Sequence, residues 1–201
     1  MPGSSRRRWR PARWPPIRDP ELAGQTVVSE LISFEIRALT RADAPAWRLL
    51  RLESLTNHPE AFASSHEEFS LLDVDAVAER IPPVGGDDVL FGVFADGVLG
   101  GCAGFARDTG LKLRHKGLMW GVYLRSALRG QGVGEALIDR VVEHARGRVE
   151  VLRCAVNPEN IGARKLYLSR GFEVYGREPR ALRTGGRDHD DELLALILPN
   201  G

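Results

Sequence analysis

Arg129-Gly130-Gln131-Gly132-Val133-Gly134 places a glycine at every second position between an apolar run and an amphipathic pattern. A helix opens with unpaired N–H groups and a partial positive charge, so such a loop can hold an anion such as a pyrophosphate, with no Cβ to keep it away. An ordinary strand-to-helix turn accounts for the glycines equally well. The Walker A loop ends in Gly-Lys-Ser/Thr, whereas Glu135 and Ala136 follow Gly134 here, and the dinucleotide fingerprint spaces its glycines as Gly-x-Gly-x-x-Gly. Neither fits. A second set of reactive groups lies downstream, where Tyr167 follows Asn160 by seven residues with Ala163 between them. On one helix all three project from nearly the same side. Proton acceptors are less well marked: Glu53, Glu60, Glu68, His115 and the run Asp190-Asp191-Glu192 are candidates, and each alone also reads as a solvated charge.

The elements that must carry these groups follow from periodicity. Leu118-Met119-Trp120-Gly121-Val122-Tyr123-Leu124 suits a buried strand, and Val133, Leu137, Val141 and Ala145 mark one face of the helix that follows the loop. Upstream, alternation through Phe34, Ile36 and Ala38 predicts a first strand. Thr40 and Asp43 resemble a capping box before a helix whose apolar stripe is Ala46, Leu49, Leu52 and Leu55, with Leu50 beside it. The segment Asn57 to Ser65 reads as irregular, and a second helix runs through Val74, Val77, Ala78 and Ile81 to the stop at Pro82-Pro83. Asp96-Gly97 joins Val89–Phe94 and Val98–Phe105 as a hairpin. A strand at Val149–Val156, a helix at Pro158–Arg170, a strand at Phe172–Tyr175 and a hairpin of Ala181–Arg183 against Leu193–Leu198 complete an α/β order of β-α-α-β-β-β-α-β-α-β-β.

Arg129, Gly132 and Gly134 resemble the Arg/Gln-x-x-Gly-x-Gly/Ala signature of the GNAT family of N-acetyltransferases. A second family motif, Asn-x-x-Ala-x-x-Leu-Tyr followed by Gly-Phe, is similar to Asn160-Ile161-Gly162-Ala163-Arg164-Lys165-Leu166-Tyr167 and Gly171-Phe172. The resemblance implies a GNAT-type mixed, mostly antiparallel sheet flanked by helices on both faces, a single domain over residues 33–201, and direct acetyl transfer from acetyl-CoA to an amine, without a metal. It implies a pyrophosphate on the N–H groups of Arg129, Gly130, Gln131, Gly132, Val133 and Gly134. The pantetheine arm would then follow Val122, Tyr123 and Leu124, with cofactor contacts at Asn160 and Ala163. It makes Tyr167 the acid that protonates the departing thiolate. Ser126 stands where the family often has proline, a change that backbone contacts to phosphate tolerate. The strand Lys116–Leu124 lacks the glutamate that many relatives use as general base, so Glu53, Glu60 and Asp191 are carried as candidates, with acids of the His58–Glu68 segment and the last hairpin expected to line an acceptor cleft. A small amine is favoured over a protein as acceptor, and homodimers are common in the family.

Composition bounds the alternatives. The chain has 201 residues, 43% hydrophobic and 27% charged, as expected of a globular protein with a sizeable core. No apolar run reaches the roughly 20 residues that cross a membrane. Cys102 and Cys154 sit in predicted strands and read as reduced, buried thiols of a cytoplasmic protein. Residues 1–18 hold six arginines and no acid, leaving 22 basic against 27 acidic side chains elsewhere. Residues 1–32, rich in arginine and proline, are expected to be a disordered extension. Two competing classes are a non-catalytic acyl-CoA-binding regulator and a nucleic-acid-associated protein acting through that tail. Tyr167 argues against the first, because a sensor needs no acid, and the acidic body argues against the second.

Overall fold

A computed structural model of the chain describes residues 33–199. The basic extension expected over residues 1–32 lies outside the described residues. Twelve main elements follow in order: β1 (Phe34–Ala38), α1 (Ala44–Asn57), α2 (His66–Ser70), α3 (Val74–Ala78), β2 (Val89–Ala95), β3 (Val98–Arg107), β4 (Lys116–Leu124), α4 (Val133–Ala145), β5 (Val151–Val156), α5 (Ile161–Ser169), β6 (Glu173–Thr184) and β7 (Arg187–Ile197). The strands form one sheet in the order β1-β2-β3-β4-β5-β7-β6. All neighbours are antiparallel except β4 and β5, which run parallel. The architecture is thus the mixed, mostly antiparallel α/β sheet with helices on both faces that the motifs implied.

Strand alternation divides the core into two layers. Val89, Phe91 and Val93 of β2, Ala103 and Phe105 of β3, and Met119 of β4 face one side, where they meet Val133, Leu137, Ile138, Val141 and Ala145 of α4. Leu90, Leu99, Cys102 and Tyr123 face the other side and pack on α1 and α3. Each large side chain sealed between sheet and helix contributes about 1.5–3 kcal/mol through removal of apolar surface from water. The sheet is therefore clamped from both faces.

The face of α1 that packs inward is Ala44, Trp47, Leu50, Arg51, Ser54 and Leu55, whereas Leu49 of the expected stripe is 65% exposed. A stripe stepping by three drifts off a helix of 3.6 residues per turn, and the polar Arg51 and Ser54 mask the true face. Between the irregular segment and the helix at Val74 lies a further short helix, α2, opened by a capping box in which Ser65 Oγ accepts from the Glu68 N–H at 3.0 Å. The next helix stops at Ala78, short of Ile81.

The strand at Phe172–Tyr175 and the Ala181–Arg183 arm are one strand, β6, paired along its length with β7. Leu182 faces His189 rather than the Leu193–Leu198 segment, which instead pairs with β5 and the start of β6. Pro179 obscured the continuity: β6 bulges between Glu178 and Leu182, Arg180 adopts φ +55°, and Asp190 Oδ1 accepts the Arg180 N–H at 2.8 Å.

Candidate active site

Two neighbouring strands of the sheet come apart at its centre. β4 and β5 pair through Lys116–Val151, Gly117–Leu152 and Leu118–Arg153, and beyond Leu118, among the described residues, β4 pairs only with β3. At the same point β4 bulges: Cys102 faces Tyr123 and Gly104 faces Trp120, so Gly121 and Val122 stand opposite Ala103 alone. Gly121 makes the bulge possible with φ +64°, a region costly for any residue carrying a Cβ. Its carbonyl accepts the Cys102 thiol at 3.4 Å.

The gap opens a cleft of about 350 Å³. Of the residues nominated from sequence, Val122, Tyr123, Leu124, Arg129, Gly130, Gly134, Asn160, Ala163 and Tyr167 line it. Gln131, Gly132 and Val133 do not reach it with side chains. The Gln131 amide turns back to Ala127 O at 2.8 Å, and Val133 is buried in the core. What this loop offers is backbone. Ala136 N–H is the first to bond back, to Gly132 O at 3.0 Å, so among the described residues the N–H groups of Gly130 to Glu135 have no acceptor. Gly130 and Gly132 adopt φ +73° and +78° with open space around them, so backbone conformation by itself calls for glycine at both. Gly134 has a different reason, because a Cβ there would lie 3.3 Å from Leu166 of α5.

Tyr167 comes from α5, whose cap is Asn160: the Asn160 carboxamide oxygen accepts the Ala163 N–H at 3.1 Å. Among the described residues the Tyr167 hydroxyl has no hydrogen-bond partner, and its ring packs 6.0 Å from Phe172. Burial pushes the phenol far above its usual range, with the Cys154 thiol a smaller contribution, so it keeps its proton at any working pH.

The proposed bases separate. Glu53 lines neither cavity of this region. Its carboxylate accepts from Arg125 Nη2 at 2.7 Å, Arg125 Nε at 2.9 Å and the Tyr123 hydroxyl at 2.9 Å. The Arg125 guanidinium holds it below the usual carboxylate range, opposite to the tuning of a base for neutral pH. Asp191 also lines neither cavity. Burial, and then the Glu178 carboxylate, raise its pKa. Glu68 is engaged in capping α2. Glu60 does reach a site, a second cavity of about 380 Å³ that it lines with Glu159, Thr184, Arg187 and His189.

His58, Asn157 and Asn160 line both cavities, and of these the sequence reading had assigned no role to His58 or Asn157. Asn157 is 4% exposed, its Oδ1 accepts the Glu159 N–H at 2.8 Å, and its Nδ2 is a buried donor without a partner among the described residues. That donor is available to an oxygen entering the cleft. Neither residue carried a sequence signal, since both lie in turns without periodicity, but a glycine inside the apolar run of β4 did mark the bulge.

The sequence profile of the acetyltransferase (GNAT) family matches residues 47–172, and the chain belongs to that family. No curated protein matches the chain in sequence. Among solved structures, a GNAT-family acetyltransferase from Streptococcus pneumoniae is similar at 19% identity and TM-score 0.72, covering 83% of this chain and all of that one. The structure of yncA from Salmonella typhimurium with its cofactor acetyl-CoA gives 24% and 0.71, covering 84% and 96%. A ribosomal-protein-alanine N-acetyltransferase from Brucella melitensis gives 26% and 0.70, covering 82% and 99%.

Proposed function

We propose that the protein transfers acetyl from acetyl-CoA directly to a primary amine, with the donor lying in the opened strand pair. The observation that carries this reading is the run of N–H groups from Gly130 to Glu135 at the start of α4 that have no acceptor among the described residues, bordering a cleft that Tyr167 also lines. Those groups fit a pyrophosphate, and the unpaired edge of β4 from Met119 to Leu124 fits the amides of a pantetheine arm. The yncA structure, solved with acetyl-CoA, supports this use of the fold.

The bound thioester supplies the electrophilic carbonyl. Unpaired backbone of β4 would polarise its oxygen, and Tyr167, which holds its proton, would deliver it to the departing sulfur. For the acceptor we infer a small polar amine: the second cavity has the volume of a metabolite site and is lined by two carboxylates, two imidazoles and two carboxamides, with Arg187 paired to Glu159.

Thermal unfolding with and without acetyl-CoA tests the reading. Ligand at about 100 times Kd stabilises by about 2.7 kcal/mol, or a Tm rise of roughly 5–10 °C at this size. The rise should vanish in Gly132→Val, followed by thiol release with an amine panel on the wild type. A folded protein with no Tm response would refute the donor site.

A further inference from the structure

We propose that His58, at the end of α1, takes the proton from the acceptor amine, and that Glu60 positions its imidazole. The assignment rests on the acetyl-transfer reading above and identifies a residue which that reading leaves open.

Position comes first. His58 lines the donor cleft and the second cavity alike, so it borders both the site proposed for the thioester and the site proposed for the amine. The other imidazole lining the second cavity, His189, does not border the cleft, and its Nε2 is hydrogen-bonded to Thr184 Oγ1 at 2.8 Å. His58 N–H bonds back to Ser54 O at 2.9 Å, closing the last turn of α1 and fixing where the side chain leaves the helix.

The surroundings then give the ring an orientation. Glu60 Oε1 lies 3.4 Å from Nδ1, and Nε2 lies 3.5 Å from Arg129 Nη2, whose guanidinium is anchored through Nε to Leu124 O at 2.8 Å. The Tyr123 ring stands 6.2 Å away. Across the second cavity are Glu159, paired with Arg187 at 2.6 Å, and His189. A carboxylate beside Nδ1 favours the tautomer in which Nε2 carries the lone pair, and Arg129 Nη2, which can only donate, faces that lone pair. Among the described residues no other carboxylate or imidazole lines both cavities: Glu53 is bound by Arg125 and Tyr123, Asp191 reaches neither, Glu135 lines the cleft alone, and Glu60, Glu159 and His189 line the second cavity alone.

The protons balance as follows. The acceptor enters as an ammonium, and His58 Nε2 takes one proton from it. The freed lone pair forms the N–C bond while the C–S bond breaks and its electron pair leaves with sulfur. Tyr167 protonates that sulfur, and the surplus proton on nitrogen restores the Tyr167 hydroxyl through water. His58 passes its proton to solvent, so each turnover yields an amide, a thiol and one released proton.

The test uses the full chain, acetyl-CoA, and putrescine, tyramine, L-lysine and an alanyl tripeptide amide as acceptors, with thiol release followed from acid to alkaline pH. With the best acceptor, His58→Gln is expected to lose kcat by about 10²-fold or more and to lose the acid limb of the wild-type profile. Its rate should recover at high pH, where the free amine forms unaided, and its Tm rise with acetyl-CoA should match the wild type. Glu60→Gln should retain the limb but lower kcat, with KM and the acetyl-CoA-induced Tm rise unchanged, because the imidazole loses the carboxylate that orients it. A His58→Gln enzyme within about threefold of wild type, with the limb intact, overturns the proposal. If the variant fails to fold, the wild-type profile decides: no limb in the range where imidazoles titrate overturns it, and a limb there supports it. Wild type that binds acetyl-CoA but releases no thiol with any amine overturns acetyl transfer itself, and the base with it.

Discussion

The Tyr123 hydroxyl donates to Glu53 Oε1 at 2.9 Å, tying α1 to the strand whose free edge bounds the donor cleft. Arg125 completes the link through two nitrogens. Because the folded-state pKa of Glu53 is lowered, the contribution to stability is fully present above the unfolded value of about 4.3 and is lost as pH falls through the lower folded value. Glu53→Gln should therefore lower Tm at neutral pH, and the gap to wild type should close progressively in acid. A gap that persists at the lowest pH at which both proteins fold would show that the ionised carboxylate is not its source. The half-exposed setting keeps the effect modest.

Tyr167→Phe removes a hydroxyl that has no hydrogen-bond partner within the described structure and keeps the ring against Phe172. Turnover should fall about 10²-fold or more while the acetyl-CoA-induced Tm shift stays near wild type. Unchanged kcat would remove Tyr167 from the proton path.

Gly121→Ala places a Cβ at φ +64° with nothing within 4 Å, so strain rather than collision sets the cost. Backbone of this kind costs about 1–2 kcal/mol, which lowers Tm by roughly 2–8 °C. If the bulge flattens to relieve the strain, β4 loses the shape of its free edge. The acetyl-CoA-induced shift should then shrink as well, which thermal unfolding with ligand measures directly.

Arg51 presents the opposite case. It is 9% exposed, lacks an ion pair or hydrogen bond among the described residues, and rests on the Phe62 ring at 4.4 Å. Burial lowers its pKa, the mark of an uncompensated buried cation. Arg51→Met keeps an apolar stem of similar length and removes the charge, so Tm should hold or rise. A fall of several degrees would mean that the stacked guanidinium stabilises the fold.

Much of the framework was legible in the chain itself. The glycine loop and α4, the Asp96-Gly97 hairpin and the Asn160-to-Tyr167 helix were readable because φ preferences, caps and hydrophobic periods act within about ten residues. The Ser65–Glu68 capping box is equally local, set by two residues three apart. By contrast, the buried face of α1 was misplaced because Arg51 and Ser54 are polar, and β6 was cut in two because Pro179 imitates a strand end while Asp190, ten residues on, satisfies the bulge.

The residues alone determined that a helix N-terminus would offer free N–H groups and that a tyrosine would share a helix face with Asn160. Only the tertiary structure decided which acid meets which partner. Arg125 pairs with Glu53 across 72 residues of sequence, and His58 and Asn157, 99 residues apart, line the same two cavities. Such pairings depend on sheet order and register, which emerge when strands distant in sequence pack together and leave no periodic trace in either segment.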